Sequence, residues 1–137
     1  MTRKSSNAAM PPDCRVVVLV VDASEERRAE YFTCLTFVGF RVLEADHARA
    51  VHRARVAQPD AIVLDASVPG SGVWETARLI KSDPKTKDAF LIALAADNYH
   101  ERARGIGVDV LTASHCQPYV VAELVAKHRG MKRLPRR

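Results

Sequence analysis

Two aspartates in this chain stand where carboxylates can act together. Asp22 closes the apolar run Val16-Val17-Val18-Leu19-Val20-Val21, and Asp65 closes Ala61-Ile62-Val63-Leu64. Continuous, β-branched runs of this kind read as strands buried on both faces of a parallel sheet. In open parallel α/β sheets the ligand cleft lies at the carboxyl ends of the strands. If the two strands are neighbours, both carboxylates reach one shallow cleft, where they suit a cation or a phosphoryl group. Either aspartate alone is equally well a cap or turn residue, and spacing leaves that reading open. His47, His52, His100 and His128 show no metal-ligand spacing with one another. Cys14, Cys34 and Cys116 are odd in number and form no CxxC pair, so they read as inert thiols rather than a zinc site or disulfide framework.

The elements that must position these aspartates alternate regularly. After the first strand, Ser24 is placed to cap a helix running to about Val38, with Glu25 and Glu26 in its first turn and Gly39 ending it. Arg41 to Ala45 reads as a second strand and Ala48 to Ala57 as a second helix, closed by Gln58-Pro59. The strand ending at Asp65 is followed by a third helix, Val73 to Ser82, and a polar loop from Asp83 to Asp88. Phe90 to Ala95 gives a fourth strand, Asp97 to Arg104 a fourth helix, Val108 to Ala113 a fifth strand and Tyr119 to Arg129 the last helix. The expected fold is therefore (βα)5, flavodoxin-like, a five-stranded parallel sheet with helices on both faces.

With these elements in place the chain resembles the receiver domains of response regulators, the CheY-like family of two-component signalling. Val-Leu-Val-Val-Asp at Asp22, the segment Pro59 to Gly72 and the stretch Leu79 to Leu94 carry the resemblance, which spans about residues 15–130. Asp65 matches the phosphoacceptor, Pro69 the proline four residues later, Gly72 the following glycine, and Asp83-Pro84 the family loop. The family uses two adjacent acids after strand one to hold magnesium, the phosphoacceptor, a Ser or Thr ending strand four, and a Lys before a Pro after strand five. Here those positions read Asp22-Ala23, Asp65, Ala95 and Gln117-Pro118. The resemblance thus implies a degenerate member, a pseudo-receiver in which Ala23, Ala95 and Gln117 replace three of the five polar groups. The metal set it implies, Asp22, Asp65 and the backbone carbonyl of Ser67, would hold Mg²⁺ weakly or not at all. Glu25 or Glu26 could swing in for the lost acid, or simply face solvent. Counting from the family separations without gaps puts strand five at Thr112 to Cys116, against the hydrophobic pattern's Val108 to Ala113. The switch aromatic then becomes Leu111 or Ser114, and the usual coupling route is broken. His115 reads as a loop histidine or a phosphate contact, and Trp74 as a core side chain or an exposed contact.

Composition sets the rest. The chain has 137 residues and a net charge of +5. Its basic charge is concentrated at the ends: residues 1–12 and 127–137 carry eight of the 21 Lys and Arg residues and no acid, leaving a body of net charge −3. We divide it into a flexible leader at 1–13, a receiver-like domain at 14–130 and a basic tail at 131–137. No apolar run is long enough to span a bilayer and no signal-peptide core opens the chain, so a cytoplasmic setting is expected. The leading function is a non-enzymatic signalling module that binds a protein partner, a histidine kinase or another signalling protein, without needing aspartyl phosphate. It would pair as a homodimer through the fourth helix, fifth strand and fifth helix, as receivers do; Tyr119, Val120, Val121, Leu124 and Val125 make that last helix broadly apolar. One alternative is a working but weak phosphoacceptor at Asp65, served by a histidine kinase. Another is an adaptor whose basic tails touch nucleic acid; the tails read more simply as solvated ends.

Overall fold

In a computed structural model, which describes residues 15–67, 72–113 and 116–130, five parallel strands form one sheet in the order β2-β1-β3-β4-β5. The strands are β1 (Val17–Val21), β2 (Arg41–Ala45), β3 (Ala61–Asp65), β4 (Phe90–Leu94) and β5 (Val110–Thr112). The helices are α1 (Glu25–Phe37), α2 (Ala50–Ala57), α3 (Val73–Ser82), α4 (His100–Ile106) and α5 (Pro118–His128). This is the flavodoxin-like arrangement expected from the sequence. The leader and tail, Cys14, Pro69, Ser114 and His115 lie outside the described residues.

The period-two geometry of a strand sorts the apolar runs into two cores. Leu19, Val21, Ile62, Leu64, Leu91 and Ala93 point to one side and pack against α2, α3 and α4 through Ala50, Ala54, Trp74, Ala77, Ile80 and Ala103. Val18, Val20, Ala61, Val63, Phe90 and Ile92 point to the other and meet Tyr31 and Leu35 of α1 with Val121 and Val125 of α5. Burial on both faces explains why β1, β3 and β4 show no polar alternation. Trp74 belongs to the first core, 9% exposed, with its ring centroid 5.3 Å from that of Tyr99.

Several boundaries differ from the sequence reading for local reasons. α2 starts at Ala50 because the Asp46 side chain accepts from the Arg49 backbone N–H and holds the preceding residues in a turn. The fourth helical stretch begins as a 3-10 turn, Asp97–Tyr99, before α4 proper, and Gly107 at φ 102 ends it. β5 lies inside the span given by hydrophobic pattern, not at Thr112 to Cys116 as the gapless count places it. Its register is Ile92 beside Val110, Ala93 beside Leu111 and Leu94 beside Thr112. Leu111 therefore lies in the middle of the strand and packs on the first core. No helix among the described residues is long and apolar enough to cross a membrane.

Candidate functional site

β1 and β3 are direct neighbours, paired from Val18 beside Ala61 to Val21 beside Leu64. They deliver Asp22 and Asp65 to the same sheet edge, each 2% exposed. Strand order reverses here, since β2 lies on one side of β1 and β3 on the other, which opens a crevice at the carboxyl ends. The condition that both carboxylates share one cleft is met.

A third side chain completes the cleft, and sequence reasoning passed over it. Arg27 reaches back from the first turn of α1. Its Nε donates to Asp22 Oδ2 at 3.0 Å and its Nη2 to Asp65 Oδ2 at 2.9 Å. The same Nη2 lies 3.5 Å from Ser67 Oγ. The remaining carboxylate oxygens are also engaged. Asp22 Oδ1 accepts from the Ser24 backbone N–H at 2.8 Å. Asp65 Oδ1 accepts from the Ser67 N–H at 3.1 Å and from the Ser67 hydroxyl at 2.6 Å. The hydrogen bond to Asp22, with the charges of both aspartates, raises the Arg27 pKa above its ordinary value against the opposing pull of burial.

The helix cap aims this side chain. Ser24 Oγ accepts from the Arg27 backbone N–H at 3.1 Å, which fixes the first turn of α1 over the ends of β1 and β3. One signal in the sequence does point to Arg27. A cation in a helix's first turn opposes the helix dipole and calls for an acidic partner. Arg28 solves the same problem differently: Nη1 donates to the Asp22 carbonyl at 2.6 Å, and Nε lies 3.6 Å from Glu44. Glu25 and Glu26 stay exposed; the side chain that reaches the cleft carboxylates from α1 is an arginine, not an acid.

Ala23, Ala95 and Gln117 take ordinary structural roles. Ala23 is exposed beside Asp22. Ala95, 1% exposed, is part of the first core, and its N–H donates to the Thr112 carbonyl. Gln117 is the exposed N-cap residue of α5 and lines a groove with Cys34, Phe37 and Tyr119. The fit to a divalent metal is poor. No group of three or more His, Cys, Asp or Glu side chains gathers among the described residues. The two aspartates and Ser67 already satisfy one another through Arg27. Magnesium requires near-octahedral oxygen ligation and would have to break both arginine bonds to obtain it.

No family model matches the sequence. The chain is 31% identical over 121 residues to the phosphate regulon transcriptional regulatory protein PhoB of Pseudomonas aeruginosa, covering 85% of this chain and 51% of that protein. It is 30% identical over 118 residues to the transcriptional regulatory protein CusR of Escherichia coli, covering 84% and 51%. The chain spans about half the length of the curated relatives it matches. Among solved structures it superposes on the chemotaxis protein CheY4 of Vibrio cholerae with a TM-score of 0.75 at 19% identity, covering 83% of this chain and 98% of that one. It also superposes on the receiver domain of the sensor histidine kinase PA1611 of Pseudomonas aeruginosa, solved with magnesium coordinated in its active-site cleft. There the TM-score is 0.73 at 21% identity, covering 85% and 99%. The paired strand-end aspartates, the sheet order and these relatives together make the chain a homologue of the receiver domains of two-component response regulators, with the CheY-like fold.

Proposed function

We propose that this receiver domain acts as an interaction module whose partner binding does not depend on phosphorylation of Asp65. One observation carries the reading. Both Asp65 oxygens are bonded within the chain, Oδ1 to Ser67 and Oδ2 to Arg27. A phosphoacceptor must present a free oxygen to the donor and then have its product's charge dispersed by donors. Ala95 offers no hydroxyl for that task, and Gln117 lines the groove beside α1 instead of carrying an ammonium group. The module has no catalytic step of its own in this reading, and its setting is the cytoplasm. Its partner is a histidine kinase or another signalling protein, or a second copy of the chain.

Intact-mass measurement after incubation with acetyl phosphate and Mg²⁺ tests it. The expected spectrum contains no stoichiometric adduct of about 80 Da, the mass of one phosphoryl group. A full adduct that is absent from Asp65→Asn, and that changes the sedimentation of the domain, would overturn the proposal in favour of a working phosphoacceptor.

A further inference from the structure

We infer that Arg27 is the resident cation of this cleft, a covalently attached guanidinium that takes over the charge neutralisation the receiver pattern gives to a divalent metal. The inference rests on the receiver reading of the cleft, but not on whether Asp65 is ever phosphorylated.

Charge balance is the first support. Two carboxylates, each 2% exposed, end adjacent strands. Buried like charges side by side need a counter-charge or must give up their ionisation. Arg27 is ion-paired to both, at 3.0 and 2.9 Å. The receiver pattern sets three acids against a divalent ion. Here Ala23 removes one acid and Arg27 supplies one positive charge, so the cleft keeps the same net charge of about minus one. The two departures from the pattern compensate each other.

Geometry is the second. Nε and Nη2 project from one planar group, and that fork spans two separate carboxylates as a lysine's point charge does not. The arginine is also held in place: its own N–H is bonded to the Ser24 cap, and a third polar group, Ser67 Oγ, faces Nη2. A divalent ion must displace a tethered cation whose effective concentration at the site is fixed by the helix. Restoring the missing acid by Ala23→Asp therefore does not by itself create a metal site, because the new carboxylate strengthens the hold on Arg27.

Four proteins decide the matter: the natural chain, Ala23→Asp, Arg27→Met and the double variant. Each is titrated with Mg²⁺ while the amide resonances of Asp22, Asp65 and Ser67 and the melting temperature are followed. The natural chain and Ala23→Asp are expected to show no saturable response up to about 10 mM Mg²⁺. Arg27→Met should melt at least about 5 °C lower in EDTA and regain part of that loss with Mg²⁺. The double variant should bind Mg²⁺ at least roughly tenfold more tightly than the natural chain. Saturation of the natural chain or of Ala23→Asp below about 1 mM, or a double variant that binds no more tightly, overturns the inference. If removal of Arg27 unfolds the domain in EDTA, recovery of far-UV dichroism on adding about 20 mM Mg²⁺ supports it, and absence of recovery overturns it. A full phosphoryl adduct at Asp65 of the natural chain that changes its sedimentation would sink the proposed function and leave this inference standing. Magnesium saturation of the natural chain would do the reverse.

Discussion

Asp65 and Asp22 are held so fully by Arg27, Ser67 and Ser24 that the cleft is a structural element of the domain as it stands. Removing the guanidinium leaves two buried carboxylates without a cation. Breaking a fully buried pair costs about 3–5 kcal/mol; the Arg27 side chain is 31% exposed, so solvent takes up part of the loss. We expect Arg27→Met to cost about 2 kcal/mol in urea unfolding, a discounted value. A second residue gives a pH signature. The Tyr31 hydroxyl donates to the Cys116 carbonyl at 2.8 Å, tying α1 to the segment before α5 across 85 residues of chain. Burial first, then the neighbouring Cys116, pushes its phenol well above the ordinary range. The folded pKa is raised, so the folded state keeps a proton that the unfolded chain releases. The stabilisation is complete below pH of about 10, the unfolded value, and is lost as pH climbs through the folded value. Unfolding free energy measured from neutral to strongly alkaline pH should fall above that point. Tyr31→Phe should be about 1 kcal/mol less stable at neutral pH and lack the Tyr31 contribution to the alkaline decline; an unchanged slope would remove Tyr31 from the account.

Helix α1 shows how an element can set a site it does not itself form. Its Ser24 cap was legible from residue type, and the cap's hydrogen bond to the Arg27 N–H is what directs that residue's side chain into the cleft. Ser24→Ala is expected to cost about 1 kcal/mol. It should also broaden the Asp22 and Asp65 amide resonances as Arg27 loses its anchor; sharp, unshifted resonances would show that the cap and the cleft are independent. Helix α5 divides its apolar arc. Val121 and Val125 are fully buried, whereas Tyr119 is 52% and Val120 40% exposed. On α4 the exposed side chains include Glu101, Arg102 and Arg104. The apolar surface of an α4-β5-α5 contact would thus come mainly from α5. It also continues across the groove to Phe37 of α1, 70% exposed.

For the molecule as a whole, that exposed strip is the surface on which association would act. A homodimer of the isologous kind buries the same strip on both copies. Sedimentation across micromolar and higher concentrations should show self-association that Tyr119→Glu combined with Val120→Glu abolishes, with the melting temperature within a few degrees of the natural chain. A monomer at every concentration would remove the homodimer and leave a different partner for this face.

The sequence by itself determined the alternation of strands and helices, because two-sided burial writes itself as β-branched runs and the start of α1 as a capping serine. It also determined that Asp22 and Asp65 lie at strand ends; resemblance alone matched Ala23, Ala95 and Gln117 to polar positions of the receiver pattern. The ends of the weaker elements were less legible, since a side-chain turn at Asp46 and a 3-10 turn at Asp97–Tyr99 compete locally with helix. Only the tertiary structure decided that β1 and β3 are adjacent, which is a matter of sheet order and not of any local preference. Only it decided that Trp74 is core, that Leu111 lies within β5, and that the apolar face of α5 is split between core and solvent. The identity of the cleft's cation was hidden for the same reason. An ion pair between residues 38 positions apart depends on how a helix crosses two strand ends, and residue type along the chain carries only the faint clue of a positive charge in the wrong turn of a helix.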